Sequence, residues 1–168
     1  AERYQDEAKT ARGVDQQVAV RNGRNAKQYK ISRQLDYAQS MMMQGRLVDA
    51  EIQIREALDL ALSTFDRNSV EVGSALNRLA RVISEQGRPA EAVLLAQEAI
   101  KTFEASGATK ESLSLVGSRK SLGAALVSNR QYAEADKVFN TMKADIAHTQ
   151  EEGHNISAAD LDWVIAML

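Results

Sequence analysis

At 168 residues the chain can bury a core of domain size. Hydrophobic residues make up 44% and aromatics only 5%, with a single proline, a helix-forming balance that predicts an all-α protein. A formal charge of -2 argues against general nucleic-acid binding, and the lack of cysteine excludes disulfides, thiolate metal sites and a cysteine nucleophile.

The N-terminal segment carries Tyr4, Ala8, Ala11, Val14 and Val18 at helical spacing, which predicts a helix over residues 1–22. The polar run Arg21–Asn25, with Gly23 at its centre, is expected to break it. Beyond that run the chain is repetitive. QGRLVDAEIQIREAL (Gln44–Leu58) returns as QGRPAEAVLLAQEAI (Gln86–Ile100) and as NRQYAEADKVFNTMK (Asn129–Lys143). Small residues fall in register at Ala38, Ala80 and Gly123, then at Ala50, Ala92 and Ala135, with spacings of 42 and 43. A period in that range indicates a solenoid of stacked helix pairs. The units are expected at 27–66, 69–106 and 109–150, and residues 157–168 read as the start of a fourth unit or a capping helix.

Within each unit the second helix shows one apolar face, for example Leu47, Ala50, Ile54, Ala57, Leu58, Ala61 and Phe65 in the first. Gly45 and Gly87 suit the left-handed turn that ends the first helix, and Pro89 suits the first turn of the next. In the third unit Asn129 is expected to supply the left-handed residue. The paired small residues are expected to face one another and let the helices approach closely. Residues 66–69 and 106–109 supply loops and N-cap residues.

The positions Leu79–Ala80, Ile83, Gln86–Gly87, Ala92 and Ala99 resemble the tetratricopeptide repeat. Tyr37–Ala38, Met41, Gly45, Ala50 and Ala57 match the same pattern, as do Leu122–Gly123, Leu126, Tyr132, Ala135 and Phe139. The spacing is longer than the commonest form of about 34 residues and is similar to the variant in kinesin light chains and many bacterial repeat proteins. The resemblance implies a right-handed superhelix whose first helices line a concave groove for a peptide or protein partner. It implies groove positions at Leu35, Gln39 and Met42, at Asn77, Arg81 and Ser84, and at Lys120, Ala124 and Val127. Arg81 and Lys120 would suit a partner with an acidic group. The Lys and Asn carboxylate clamp of chaperone-binding members is absent: Leu35 and Gln39 stand at its first-unit positions, and Gly117 and Ser121 at its third-unit ones.

No catalytic constellation, cofactor site or metal site is predicted. His148 and His154 are six residues apart, which does not put both on one helical face, and they read as solvated histidines. Ser118 lacks the strand and flanking glycines of a nucleophile elbow. Glu151, Glu152, Asp160 and Asp162 read as a loop and helix start. Of the three consecutive methionines, Met41 is expected inside, with Met42 and Met43 at the groove edge. Arg78, Arg81 and Arg88 read as a solvated basic face balanced by Glu85 and Glu91 rather than a phosphate site. The longest apolar run, Val164–Leu168, is too short for membrane insertion, and a soluble chain in the cytoplasm or periplasm is expected.

The leading reading is therefore a non-catalytic interaction scaffold, read as part of a larger bacterial polypeptide that begins before Ala1 or continues past Leu168. A second is the regulatory repeat region of an enzyme such as a caspase-like peptidase, or of a signalling protein. A third is self-association into a homo-oligomer through the apolar residues Trp163, Ile165 and Leu168.

Overall fold

The computed structural model describes residues 2–110 and 112–151, with side chains for 16–110 and 112–145. The segment 157–168 and His154 lie outside the described residues. Six helices run in order: α1 (Glu2–Met43), α2 (Leu47–Thr64), α3 (Val70–Glu85), α4 (Pro89–Ala105), α5 (Leu113–Ser128) and α6 (Tyr132–Glu151). No strand occurs among the described residues, and the architecture is an all-α solenoid.

The turns explain the period. Met41 and Met42 carbonyls accept from Arg46 and Gly45 amides at 2.9 Å each, and Ile83 and Ser84 accept from Arg88 and Gly87 in the same way. Gly45 and Gly87 have φ of 74° and 78°, the left-handed conformation that closes a helix C-terminus. In the third unit Leu126 and Val127 accept from Gln131 and Arg130, so the motif is kept, but the left-handed residue is Arg130, with φ 60°, and not Asn129. The starts of α3 and α5 are set by serines: Ser69 Oγ accepts from Val72 N–H and Ser112 Oγ from Leu115 N–H, both at 3.3 Å. Gly107 takes the left-handed turn after α4, and the cap expected within 106–109 is supplied three residues later by Ser112.

The backbones of α1, α3 and α5 lie side by side, whereas those of α2 and α4 do not approach each other. The first helices are thus the inner, concave layer and the second helices the outer one. The outer pair is joined through side chains: Arg88 reaches Glu51 at 3.2 Å and Arg55 reaches Glu91 at 3.5 Å. Between the layers runs a core rich in alanine, in which Ala38, Ala50, Ile54, Ala57 and Ala61 are all fully buried.

The break expected at Arg21–Asn25 does not occur, and α1 runs through it for 42 residues. Once the packed half of a helix has formed, adding further residues is easy, and one glycine costs only about 1 kcal/mol. Arg24 marks where support ends, its guanidinium lying 4.9 Å from the centre of the Phe65 ring at the end of α2. Residues 2–23 extend beyond that point by about 33 Å at 1.5 Å per residue.

The outward face of α1 also differs from its counterparts. One period after Lys30, Arg33 and Tyr37 come Val72, Ala75 and Leu79, each at most 2% exposed beneath the preceding helix pair. In α1 the three positions are exposed. Charged side chains here make a polar end to the stack.

Candidate functional site: the inner face of α1, α3 and α5

Arg78 and Arg81 sit one turn apart on α3 and project toward α1, where both guanidiniums donate to the same atom, Oε1 of Gln39, at 3.1 Å each. A neutral amide oxygen shared by two cations neutralises neither of them. Asp36 lies 3.4 Å from Arg78, and no carboxylate reaches Arg81 among the described residues. Burial lowers the pKa of Arg78 from its ordinary value, with Asp36 pulling upward and the neighbouring Arg81 adding to the depression.

Beside this pair a cleft of about 340 Å³ opens between α1 and α3, edged by Ser114 of α5. Gln28, Ser32, Asp36, Asn77 and Arg78 line it, and a 2.6 Å hydrogen bond from Gln28 to Glu71 closes one end. Asn77 Oδ1 is buried without a hydrogen-bond partner. A buried amide left unpaired is costly, and a ligand N–H would relieve it.

Of the nine groove positions, Gln39, Asn77, Arg81, Ser84, Lys120 and Ala124 are partly exposed on the inner helices, and Val127 is exposed. Leu35 and Met42 are not on the surface. Both are buried, Leu35 as part of the cleft lining and Met42 in the core with Met41, while Met43 points to solvent at 82% exposure. Their angular position on α1 faces α2 and α3 together, which periodicity alone did not separate from the open side. Lys120 lies further along on α5 and already has an interaction of its own. Missing from the sequence-derived set were Arg78 and Asp36. The signal for them was spacing, since Asp36 and Arg78 lie one period apart on the side of Gln39 and Arg81.

The remaining chemical readings resolve blandly. Ser118 is fully buried and its hydroxyl donates to the Ser114 carbonyl at 2.9 Å within α5. Arg88 belongs to the outer surface with Glu51 and Glu91, so the arginine trio does not form one site. No metal-ligating cluster is found among the described residues, and none of their helices is long and apolar enough to cross a membrane.

Residues 32–105 match the family model of the tetratricopeptide repeat. That stretch is similar to tetratricopeptide repeats. The crystal structure of nearly identical TPR-like repeats, described as from a kinesin light chain of Podosopora anserina, has the same fold, with a TM-score of 0.62 and 23% identity. The similarity covers 73% of this chain and 57% of that one. No curated protein matches the chain. Tetratricopeptide repeats generally mediate protein–protein interaction and are typically non-catalytic.

Proposed function

We propose that the chain is an interaction scaffold that binds a peptide segment of a protein partner along the inner face of α1, α3 and α5. The observation that carries this reading is the Arg78–Arg81 pair on one amide oxygen beside a polar cleft. Paired guanidiniums with spare donors bind a carboxylate through charge-assisted hydrogen bonds. The unpaired Asn77 oxygen suits a peptide N–H. Together they describe a partner with an acidic side chain in an extended or helical segment. Nothing in the arrangement assembles a nucleophile with a base, which favours a binding role over catalysis at this face.

Selection of a displayed random-peptide library on the purified chain tests the proposal. Enriched peptides should carry Asp or Glu, and Arg81→Glu should weaken them at least tenfold, a change of about 1.4 kcal/mol. Lys101→Glu, on an exposed part of the outer helix α4, should leave binding unchanged. Peptides that bind the folded Arg81→Glu variant as tightly would place the site elsewhere.

A further inference from the structure

Along α1 from Gln16 to Leu35 the sequence has five cations, Arg21, Arg24, Lys27, Lys30 and Arg33, and no acidic residue, in a chain whose net charge is -2. Every residue from Gln16 to Lys30 is exposed. Arg24 rests on Phe65, but Arg21, Lys27, Lys30 and Arg33 have no carboxylate within salt-bridge reach among the described residues. Successive cations lie three residues apart, a spacing at which like charges on a helix repel. A polar end cap needs hydrophilic side chains, and a mixture of signs would provide it without that repulsion. The single sign therefore calls for an anionic counterpart.

Aromatic residues narrow the choice of anion. Tyr29, Arg33 and Tyr37 succeed one another at four-residue steps on the outward face of α1, about 6 Å apart along the axis. The two rings are 67% and 55% exposed, although the equivalent of Tyr37 in α3, Leu79, is buried. Asn22 and Asn25 add amides at the same end. Of the acids bordering this face, Asp36 pairs with Arg78 and Asp49 with Arg46, while Glu56 accepts from the neutral amides of Gln34 and Gln53. An acidic peptide would use the cations and has no need of two exposed rings between them. Rings that alternate with cations suit a strand whose bases stack while its phosphates meet the charges.

We infer that the outward face of α1, built from Tyr29, Lys30, Arg33 and Tyr37, binds single-stranded nucleic acid. The overall negative charge does not oppose this, because the stretch from Gln16 to Leu35 carries five cations and no acid. The site is separate from the concave groove, which lies on the opposite flank of α1 toward α3.

Fluorescence anisotropy of the full chain with a labelled oligo(dT) of about twenty nucleotides reads this out. With two phosphates neutralised by Lys30 and Arg33, log affinity should fall against log salt with a slope of about -1.4. Lys30→Glu with Arg33→Glu should weaken binding at least about tenfold and flatten that slope. Tyr29→Ala should weaken it about fivefold or more through lost stacking. Lys101→Glu is the exposed control. All four substitutions replace exposed side chains, and circular dichroism checks that the helices persist. No binding of oligo(dT) at low salt, or equal binding by the charge-reversed chain, overturns the inference. So does tighter binding of poly-L-glutamate, which would make the face an acidic-protein site, or a duplex bound equally well with Tyr29→Ala silent.

Discussion

Gly123 shows how single side chains hold the solenoid at constant spacing. A Cβ at that position would collide with the Phe139 ring, so the glycine of α5 is the seat of a phenylalanine from α6. The equivalent pair in the second unit is Ala80 and Ala96, both buried. Gly73 and Phe103 repeat the arrangement, the added Cβ lying 2.9 Å from the ring, where the first unit has Ile31 and Ala61. Between Ile31–Ala61 and Gly73–Phe103, bulk removed from one helix is thus restored by the other. Gly123→Ala should cost about 1–3 kcal/mol by overpacking and Phe139→Ala about 3–5 kcal/mol by leaving a cavity. The double variant recreates the Ala80 and Ala96 pair, so urea denaturation should show a loss smaller than the sum of the two. Strict additivity would mean that the two side chains are not coupled.

Between elements, the turns were legible in the sequence because only a few residue types tolerate positive φ, and Gly45 and Gly87 announce themselves. Arg130 was not legible for the same reason: local preference favoured Asn129, and the hydrogen-bond register from Leu126 and Val127 overrode it. Contacts between outer helices were equally hidden, because they join residues a period apart. Glu51 is the hub of these contacts. It accepts from Arg55 at 2.8 Å and from Arg88 at 3.2 Å, joining α2 to the start of α4. Burial pushes the Glu51 carboxyl up, but the hydrogen bonds from Arg55, Gln86 and Arg88 outweigh it and hold the pKa below the ordinary carboxylate value. A depressed folded-state pKa gives stability that is present above the unfolded pKa and lost as pH falls through the folded one. Thermal melts from pH 7 to pH 3 should show that loss, and Glu51→Gln should lower stability at pH 7 by about 1 kcal/mol while flattening the acid limb. An unchanged acid limb in the variant would assign it to other carboxylates.

Across the whole molecule, three repeated signals made the stacked architecture readable, while the ends were not, because a register of small residues does not say where stacking stops. Charge at Lys30 and Arg33, where α3 has Val72 and Ala75, is what ends it, and the N-terminal part of α1 continues the same helix past the end of α2. Of the expected groove positions, Gln39, Asn77 and Arg81 are partly exposed, whereas Leu35 and Met42 are buried, a depth that periodicity alone does not give. In a stack of this kind stability is a sum over neighbours, and the most protected layer is the one covered on both sides. The helix α3 meets α1, α2, α4 and α5, whereas residues 2–23 lie beyond the end of α2. Native-state hydrogen exchange should therefore be slowest at buried α3 positions such as Leu79, Val82 and Ile83, intermediate in α2 and α5, and fastest in residues 2–23, where an isolated helix of that length is marginal in water. Slow exchange in residues 2–23 would mean that they are covered in solution, and its dependence on protein concentration would identify a second copy as the cover.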